Sequence, residues 1–291
     1  MHNSFGDVTI ERKPERVATL GYADLALASS MGSEIVLAPE FFSSVSGGDT
    51  EKSLPYIDSL PAETEWLNPM SIDVEQVAAA EPDVILATAA FSLDENIYSQ
   101  LNDIAPVVSY EEGLYQASSE ASSQRIGEVL GEEEMAEQLI TDANDAVAQV
   151  KQDLPNLDGG TFLYGQARDD VAAMLVDKEN VTARFMLGLG MEALPAVAEL
   201  GGKGSVPGAV DISLEQADLF NDAGVMFMTY QSDAAKTAFE SNPIIAEQPI
   251  MDDRYVPVGL EAATALQDPN VVSVPWLLDE IRPGLEKVPE N

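Results

Sequence analysis

The sequence contains no cysteine and a single histidine, His2, among its 291 residues. Disulfides, thiolate metal sites and cysteine nucleophiles are therefore excluded, and neither a Ser-His-Asp triad nor a histidine cluster for zinc or manganese can form. We expect His2 to lie in a disordered terminal tail. Basic residues are also scarce, with 14 Lys and Arg against 51 Asp and Glu, a formal net charge of −37. That charge repels nucleic-acid phosphates and anionic lipid surfaces, so we predict no nucleic-acid partner.

Long apolar runs are also missing. No stretch approaches the roughly 18 apolar residues of a membrane span, and the N-terminus lacks a charged-then-apolar export signal. The hydrophobic share of 45% nevertheless supports a packed core, and the length suits about two domains. We therefore expect a globular protein and, if it is exported, a sequence that corresponds to the mature part.

The strongest helical pattern lies in the middle of the chain. Over residues 132–154 apolar side chains recur every three or four positions, Gly131 precedes the run and Pro155 ends it. At ~1.5 Å per residue this helix is roughly 35 Å long, about the diameter of a small domain. Such a helix either connects two lobes or lies on the surface of a single domain.

Strand and helix patterns alternate on both sides of this helix, and the strands are nearly continuous apolar runs, which is typical of parallel sheets covered on both faces. The predicted strands are residues 8–10, 16–20, 35–38, 84–87, 107–110, 161–164, 171–176, 225–230 and 255–258. We predict an α/β fold of two lobes with mostly parallel sheets joined by one long helix, divided as 1–131, 132–155 and 156–291. A single continuous doubly wound sheet is the competing layout.

Two segments 140 positions apart share one pattern. Residues 72–77 and 212–217 both read isoleucine, helix cap, aliphatic residue, Glu, Gln and a small apolar residue. The cap and the Gln have the spacing of a capping box, in which both side chains bond free amides of the first helical turn. The two glutamates, Glu75 and Glu215, would lie in that first turn, where the helix dipole alone also favours an acid.

These motifs, with the long helix between them, resemble the substrate-binding proteins of iron-siderophore ABC importers, a family that also includes cobalamin and haem binders. The resemblance extends over nearly the whole chain, through residues 8–17, 55–57, 72–83, 101–108 and 211–217. It implies two α/β lobes bridged by one long helix, in a monomeric protein that works outside the cytoplasm, in the periplasm or on a lipid anchor. It also implies that Glu75 and Glu215, one on each lobe, contact the two permease subunits.

Ligands of open parallel sheets lie beyond the carboxyl ends of the strands, so we expect the loops there to face a cleft between the lobes. Aromatic residues supply apolar contact area with a polar tip, and arginine supplies a forked donor for carbonyl or hydroximate oxygens. Each aromatic residue alone also suits a core position, whereas Trp66 and Arg168 are favoured because both are predicted in polar loops. The candidate ligand contacts are Tyr22, Phe41, Trp66, Phe91, Tyr110, Arg168, Arg184 and Tyr230.

A ferric siderophore brings its own coordination sphere, so its carrier needs neither metal ligands nor a cofactor. With so few arginines, the chain favours neutral or cationic hydroxamates over strongly anionic catecholates. Three alternatives stay open: a haem or cobalamin carrier of the same fold, a hydrolase that uses paired carboxylates, and a surface adhesin without a small-molecule pocket. Residues 188–193 match a dinucleotide fingerprint in letters, but they follow a helical stretch, so we interpret them as a glycine helix end.

Overall fold

The computed structural model describes residues 1–41, 54–57, 63–201, 204–206 and 208–290. The chain forms two compact units. The first unit comprises Met1–Asn144 and Asp268–Trp276, and the second comprises Asp145–Gln267 and Leu277–Asn291. Each unit is therefore assembled from two separate stretches of sequence. Residues 43–53 are rich in Ser and Gly, which predicts a loop, and this stretch lies outside the described residues.

A small hairpin opens the first unit. Strands β1 (His2–Asn3) and β2 (Gly6–Asp7) pair antiparallel. Phe5, in the turn, stacks on Tyr98 with ring centroids 4.9 Å apart, and Arg125 donates to the carbonyl oxygen of His2. The expectation of a disordered tail at His2 is therefore wrong, because aromatic and cationic side chains of the first unit hold the hairpin in place.

The first unit is built on a five-stranded sheet in which every pairing is parallel. Its strands are β3 (Arg16–Thr19), β4 (Glu34–Pro39), β5 (Glu65–Leu67), β6 (Val84–Ala87) and β7 (Val107–Ser109). The order across the sheet is β5-β4-β3-β6-β7, so β4 and β5 are added on one side of β3, and the chain then crosses back to add β6 and β7 on its other side. That reversal of the strand order is a topological switch point, where open α/β sheets offer space for a ligand.

Two strand predictions for this unit need correction. Residues 8–10 join no sheet, because the Val8 amide instead donates to the carbonyl oxygen of Met1 at the base of the hairpin. Trp66 lies inside β5 rather than in a loop, because its short strand completes the edge of the sheet beside β4. The other predicted strands of this unit are confirmed to within one or two residues.

Among the described residues of the first unit, four helices accompany the sheet: α1 (Tyr22–Ser30), α2 (Val74–Ala79), α3 (Glu95–Asn102) and α4 (Ser119–Leu130). Helices α2 and α3 bury Val77 and Leu101 in one core cluster with strand residues such as Ile85. Helix α1 contacts β3, β4 and α4. The loops at the carboxyl ends of the strands form the irregular edge of the unit.

The long helix in the middle of the chain is confirmed as α5 (Glu133–Asp153). Lys13 forms an ion pair with Glu132 just before its start, and Arg282 forms one with Asp153 at its end. The sequence boundary between the two units falls inside this helix, after Asn144. The predicted division into 1–131, 132–155 and 156–291 stays a prediction.

The second unit is built on a mixed sheet. Its strands are β8 (Thr161–Arg168), β9 (Val171–Leu175), β10 (Glu192–Ala193), β11 (Ala209–Ser213), β12 (Val225–Thr229) and β13 (Tyr255–Pro257). Their order across the sheet is β11-β9-β8-β12-β13, with β10 beside the start of β8. β8, β10, β12 and β13 pair in parallel, whereas β9 pairs antiparallel with both β8 and β11. The sheets are thus mostly parallel as predicted, but the antiparallel edge of this one was not predicted.

Short helices cover the second sheet. They are α6 (Val181–Gly188), α7 (Pro195–Ala198), α8 (Asp233–Glu240), α9 (Pro243–Ala246), α10 (Ile250–Asp253), α11 (Leu260–Gln267) and α12 (Val274–Leu285), with 3₁₀ segments at Pro155–Leu157 and Leu214–Asp222. Helix α12 approaches the sheet closely at Gly284, where a Cβ would lie 2.6 Å from the Phe227 ring. Among the described residues, no helix combines the length and the apolar character that a bilayer span requires.

Candidate functional site

Four of the predicted ligand residues follow four adjacent strands of the first sheet. Phe41 comes after β4, Tyr22 after β3, Phe91 after β6 and Tyr110 after β7, in the order of the strands across the sheet. The rings of Tyr22 and Phe41 contact each other, with centroids 5.8 Å apart. The structure therefore brings these four residues to the carboxyl edge of one sheet, on both sides of its switch point.

Their exposure differs. Phe41 has no exposed surface, so it belongs to the core beneath Tyr22 and is not available to a ligand in this conformation. Tyr22 is half-buried and donates from its hydroxyl to the carbonyl oxygen of Glu40, at 2.9 Å. Tyr110 is half-buried and packs against Phe5 of the hairpin, at 5.4 Å between ring centroids. Tyr22 thus retains partly open surface, while Tyr110 shares its ring face with the hairpin.

A buried carboxylate holds the loops on either side of the switch point together. Asp24, in the first turn of α1, accepts hydrogen bonds from the amide and hydroxyl of Thr88, at 3.0 and 2.5 Å, and from the amide of Ala89, at 3.3 Å. Gly21 makes this approach possible, because a Cβ there would lie 2.6 Å from the carbonyl carbon of Ala89. Burial raises the pKa of Asp24 to about 6, although its bonds to Thr88 and Ala89 oppose the rise.

The structure adds three residues of the first unit to this edge: Tyr56, Asp268 and Trp276. The rings of Tyr56 and Trp276 lie 5.7 Å apart. Burial, and then the charge of Asp268, raise the pKa of the Tyr56 hydroxyl. Burial, with a further contribution from the charge of Asp24, raises the pKa of Asp268 to about 7. No sequence pattern pointed to Asp268 and Trp276, because they return to this unit from a distant part of the chain.

In the second unit, one face of β8 carries Tyr164, Gln166 and Arg168, all half-buried, while Leu163 and Ala167 point into the core on the opposite face. Arg168 donates from both Nε and Nη2 to the side-chain oxygen of Gln166, at 3.1 and 2.8 Å. Arg168 is therefore a strand residue and not a loop residue, because β8 continues to the hairpin with β9. Tyr, Gln and Arg stand at every second position of this segment, and that spacing is the sequence signal that could have indicated a polar strand face.

The other predicted contacts of the second unit have partners within it. Arg184, in the first turn of α6, forms an ion pair with Glu179. The hydroxyls of Tyr230 and Tyr255 lie 2.6 Å apart, and Tyr255 donates to Glu240 at 2.7 Å. The polar ends of Arg184 and Tyr230 are thus engaged locally, whereas the Arg168 guanidinium keeps hydrogens that no described residue accepts.

The two predicted docking glutamates are both exposed in a first helical turn, Glu75 in α2 and Glu215 in the 3₁₀ segment. Asp73 caps the amides of residues 75 and 76 at 2.9 and 3.2 Å, and Ser213 caps that of residue 215 at 3.3 Å. The reciprocal half of the first capping box is missing, because the Gln76 side chain donates to the backbone of β5 instead. Neither glutamate forms an ion pair with another described residue.

The described parts of the chain contain no group of three or more His, Asp or Glu side chains arranged to hold a metal ion. The fingerprint-like glycines follow the end of α6, where Gly190 adopts a positive φ of 94°, so the interpretation of a glycine helix end is confirmed.

The sequence profile of a family described as "Periplasmic binding protein" matches residues 34–256. The chain is similar to a periplasmic solute binding protein from Mycobacterium smegmatis, at 25% identity over 99% of this chain and 97% of that one, with a TM-score of 0.82. It has the fold of Streptococcus pneumoniae PiaA in complex with ferrichrome, at 20% identity over 99% and 98% and a TM-score of 0.78. It also has the fold of Staphylococcus aureus SirA complexed with staphyloferrin B, at 17% identity over 100% of this chain and 99% of that one, with a TM-score of 0.76. A comparison with curated proteins gives no match.

Proposed function

The chain belongs to the periplasmic binding protein family, and we propose that it captures a ferric siderophore, of the hydroxamate type, outside the cytoplasm and delivers it to an ABC importer. The single observation that carries this proposal is the family match, which covers sheet strands of both units. The proteins of the same fold that were solved with ferrichrome and staphyloferrin B support the choice of cargo. The family consists of binding proteins, which favours a carrier over an enzyme.

In the first unit, the carboxyl edge of the sheet offers the ligand a half-buried aromatic surface. Tyr22, Tyr56 and Trp276 lie there. The hydrogen bond from Thr88 to Asp24 holds the loops at the switch point together. Aromatic rings bury a large area at a low entropy cost, which suits a bulky chelate. The predicted contacts Trp66 and Phe91 are half-buried on the same unit and stay part of the proposal.

In the second unit, Arg168 is the side chain that we assign to the oxygen atoms of the chelate. Its guanidinium is a planar donor suited to carbonyl and hydroximate oxygens. The iron belongs to the cargo and is coordinated by the chelator, so no protein ligand is required for it. The preference for hydroxamates rests on the scarcity of arginine, seven in the whole sequence, for the charge of a catecholate complex.

For delivery, we assign Glu75 and Glu215 to the contact with the permease subunits. Both carboxylates are exposed, and both sit on a capped helical turn that fixes the backbone beneath them. An exposed acid on a rigid turn is suited to pair with an arginine or lysine of a partner. We further propose that the protein is a monomer and is retained near its permease, in the periplasm or through a lipid anchor.

Ligand capture is tested by titrating intrinsic tryptophan fluorescence with a ferric hydroxamate, a ferric catecholate, haem and cobalamin. We expect saturable quenching by the hydroxamate. Because both tryptophans, Trp66 and Trp276, lie in the first unit, Trp66→Phe and Trp276→Phe show which ring reports the ligand. If only haem or cobalamin quenches the fluorescence, the ligand is haem or cobalamin and not a siderophore. If none of the four ligands quenches it and the protein hydrolyses chromogenic glycosides or esters, the protein is a hydrolase and not a carrier.

Delivery is tested with the double variant Glu75→Gln, Glu215→Gln. We expect unchanged ligand affinity and a loss of import of at least tenfold, because each change removes one interfacial charge pair. The matched control is Glu137→Gln with Glu280→Gln, which changes two other exposed glutamates. Import at the wild-type rate by the first double variant would contradict the assignment.

A further inference from the structure

The guanidinium of Arg168 differs from those of the other arginines in this chain. All seven arginines lie in the described residues, and six of them form an ion pair with a carboxylate: Arg12, Arg16, Arg125, Arg184, Arg254 and Arg282. Arg168 forms none with any described residue and is bound by the neutral amide oxygen of Gln166. In a chain of net charge −37, an arginine without a carboxylate partner is the exception that needs an explanation.

Carboxylates are close at hand in the sequence but do not neutralise this arginine. Asp169 and Asp170 follow directly, in the turn between β8 and β9, and both are exposed to solvent. Arg168 is half-buried and aligned along the strand face with Gln166 and Tyr164. The side chain is therefore directed by β8 and by its bond to Gln166 instead of by the neighbouring acids.

The bond geometry explains how the guanidinium is held. One oxygen accepts from Nε at 3.1 Å and from Nη2 at 2.8 Å, so two of the five N–H groups are fixed by a single neutral acceptor. The plane of the guanidinium is thereby set, and three N–H groups stay available. A carboxylate in the same place would set the same plane but would also cancel the positive charge.

We propose that Gln166 is a specificity-determining positioning residue, which orients Arg168 for the ligand while leaving its charge uncompensated for an electron-rich oxygen of a neutral or anionic chelate. This inference rests on the proposed capture of a ferric chelate, and it names the ligand chemistry that the second unit accepts. It predicts that the residue at position 166 controls discrimination by ligand charge more than it controls stability.

The test uses Gln166→Glu, which keeps the shape of the side chain and adds a carboxylate beside Arg168. The probes are a neutral cyclic ferric trihydroxamate, a linear ferric trihydroxamate with a pendant ammonium group, and an anionic ferric tricatecholate. We expect the affinity for the neutral probe to fall tenfold or more and that for the anionic probe to fall further. The affinity for the ammonium probe should fall least, because the added charge attracts it.

Two further variants separate charge from structure. Gln166→Leu removes the acceptor without adding charge, so it should weaken binding of all three probes by a similar factor. Gln152→Glu adds the same charge at an exposed position of α5 and should leave all three affinities unchanged. Melting curves confirm that each variant is folded. If Gln166→Glu does not fold, Gln166→Leu tests the positioning role, and unchanged affinities for all three probes in that variant would overturn it.

The outcomes distinguish this inference from the proposed function. Wild-type affinities in the Gln166→Glu variant, or an equal loss for all three probes, would overturn the role in charge discrimination while capture itself stands. If the wild-type protein binds none of the three probes, the proposed capture of ferric siderophores fails, and this inference fails with it.

Discussion

Two carboxyls of the first unit, Asp24 and Asp268, have raised pKa values, about 6 and about 7, because burial disfavours their charged forms. Asp24 accepts three hydrogen bonds, whereas the Asp268 carboxylate accepts none from the described residues. Between about pH 4 and pH 7 the folded protein therefore binds more protons here than the unfolded chain does. The stability from these groups is complete below about pH 4 and is lost as the pH rises through their folded-state pKa values.

Asp268→Asn should isolate this effect, since the amide has the same shape and carries no charge. We expect the variant to be more stable than wild type by about 1 to 3 kcal/mol at pH 8 and equally stable near pH 4. Urea unfolding at the two pH values measures the difference. Asp252→Asn, at an exposed position, is the control for the loss of one surface charge. A stabilisation of equal size at both pH values would show that the charged form of Asp268 is not the cause.

The residues at the edge of the first sheet show how much of a site the sequence predicts. Tyr22, Phe91 and Tyr110 were found because each follows an apolar strand, and parallel strands end at one edge. Asp268 and Trp276 were not predicted at this edge. They join the first unit more than 120 residues after its main segment ends, and no local sequence pattern indicates such a return of the chain. Arg168 was proposed from its residue type, and its contact with a ligand stays a prediction; its strand environment depends on a hairpin with β9 that pattern alone did not reveal.

At the scale of helices and strands, local chemistry was more predictable than pairing. The long helix α5 was confirmed because its apolar periodicity and its proline stop act within one segment. The strand β11 was missed because Asp211 interrupts its apolar run, and its partner β9 lies more than 30 residues away. The register of an edge strand depends on such non-local partners, so it does not follow from propensity.

The two capped turns beneath Glu75 and Glu215, the proposed docking residues, give a prediction at this scale. Asp73 binds two amides of α2, whereas Ser213 binds one amide of the 3₁₀ segment over a longer distance. Asp73→Ala should therefore cost about 1 kcal/mol of stability and Ser213→Ala about half of that or less. Urea unfolding measures both, and Asp73→Ser, which restores an acceptor, should recover most of the loss. Equal costs for the two alanine variants would mean that the cap bonds are not what distinguishes these turns.

Across the whole molecule, charge of one sign dominates. The formal net charge is −37, and the ion pairs formed by the few cations are mostly at the surface. Exposed ion pairs contribute little to stability, whereas repulsion among many like charges opposes the compact state. Added salt therefore screens more repulsion than attraction.

We expect the melting temperature to rise by roughly 5 to 15 °C between about 0.1 M and about 1 M KCl, as the screening length falls from ~10 Å to ~3 Å. Differential scanning calorimetry measures it at several salt concentrations. Tetramethylammonium chloride is the control: an equal rise in both salts indicates screening, and a rise in KCl alone indicates bound potassium. A constant or falling melting temperature would show that repulsion does not limit the stability of this protein.

The first unit consists of Met1–Asn144 and the later stretch Asp268–Trp276. A ribosome that adds roughly 5 to 20 residues per second makes Trp276 roughly 7 to 26 s after Asn144. Until then Tyr56 lacks its aromatic partner, and the switch point lacks the segment that carries Asp268. A domain that comes first in the chain usually folds while the following residues are being made, but here the last piece of the first unit is made after Asp145–Gln267 of the second unit. The first unit thus stays incomplete while the 123 residues Asp145–Gln267 are made, so its folding is completed only after most of the second unit has been synthesised.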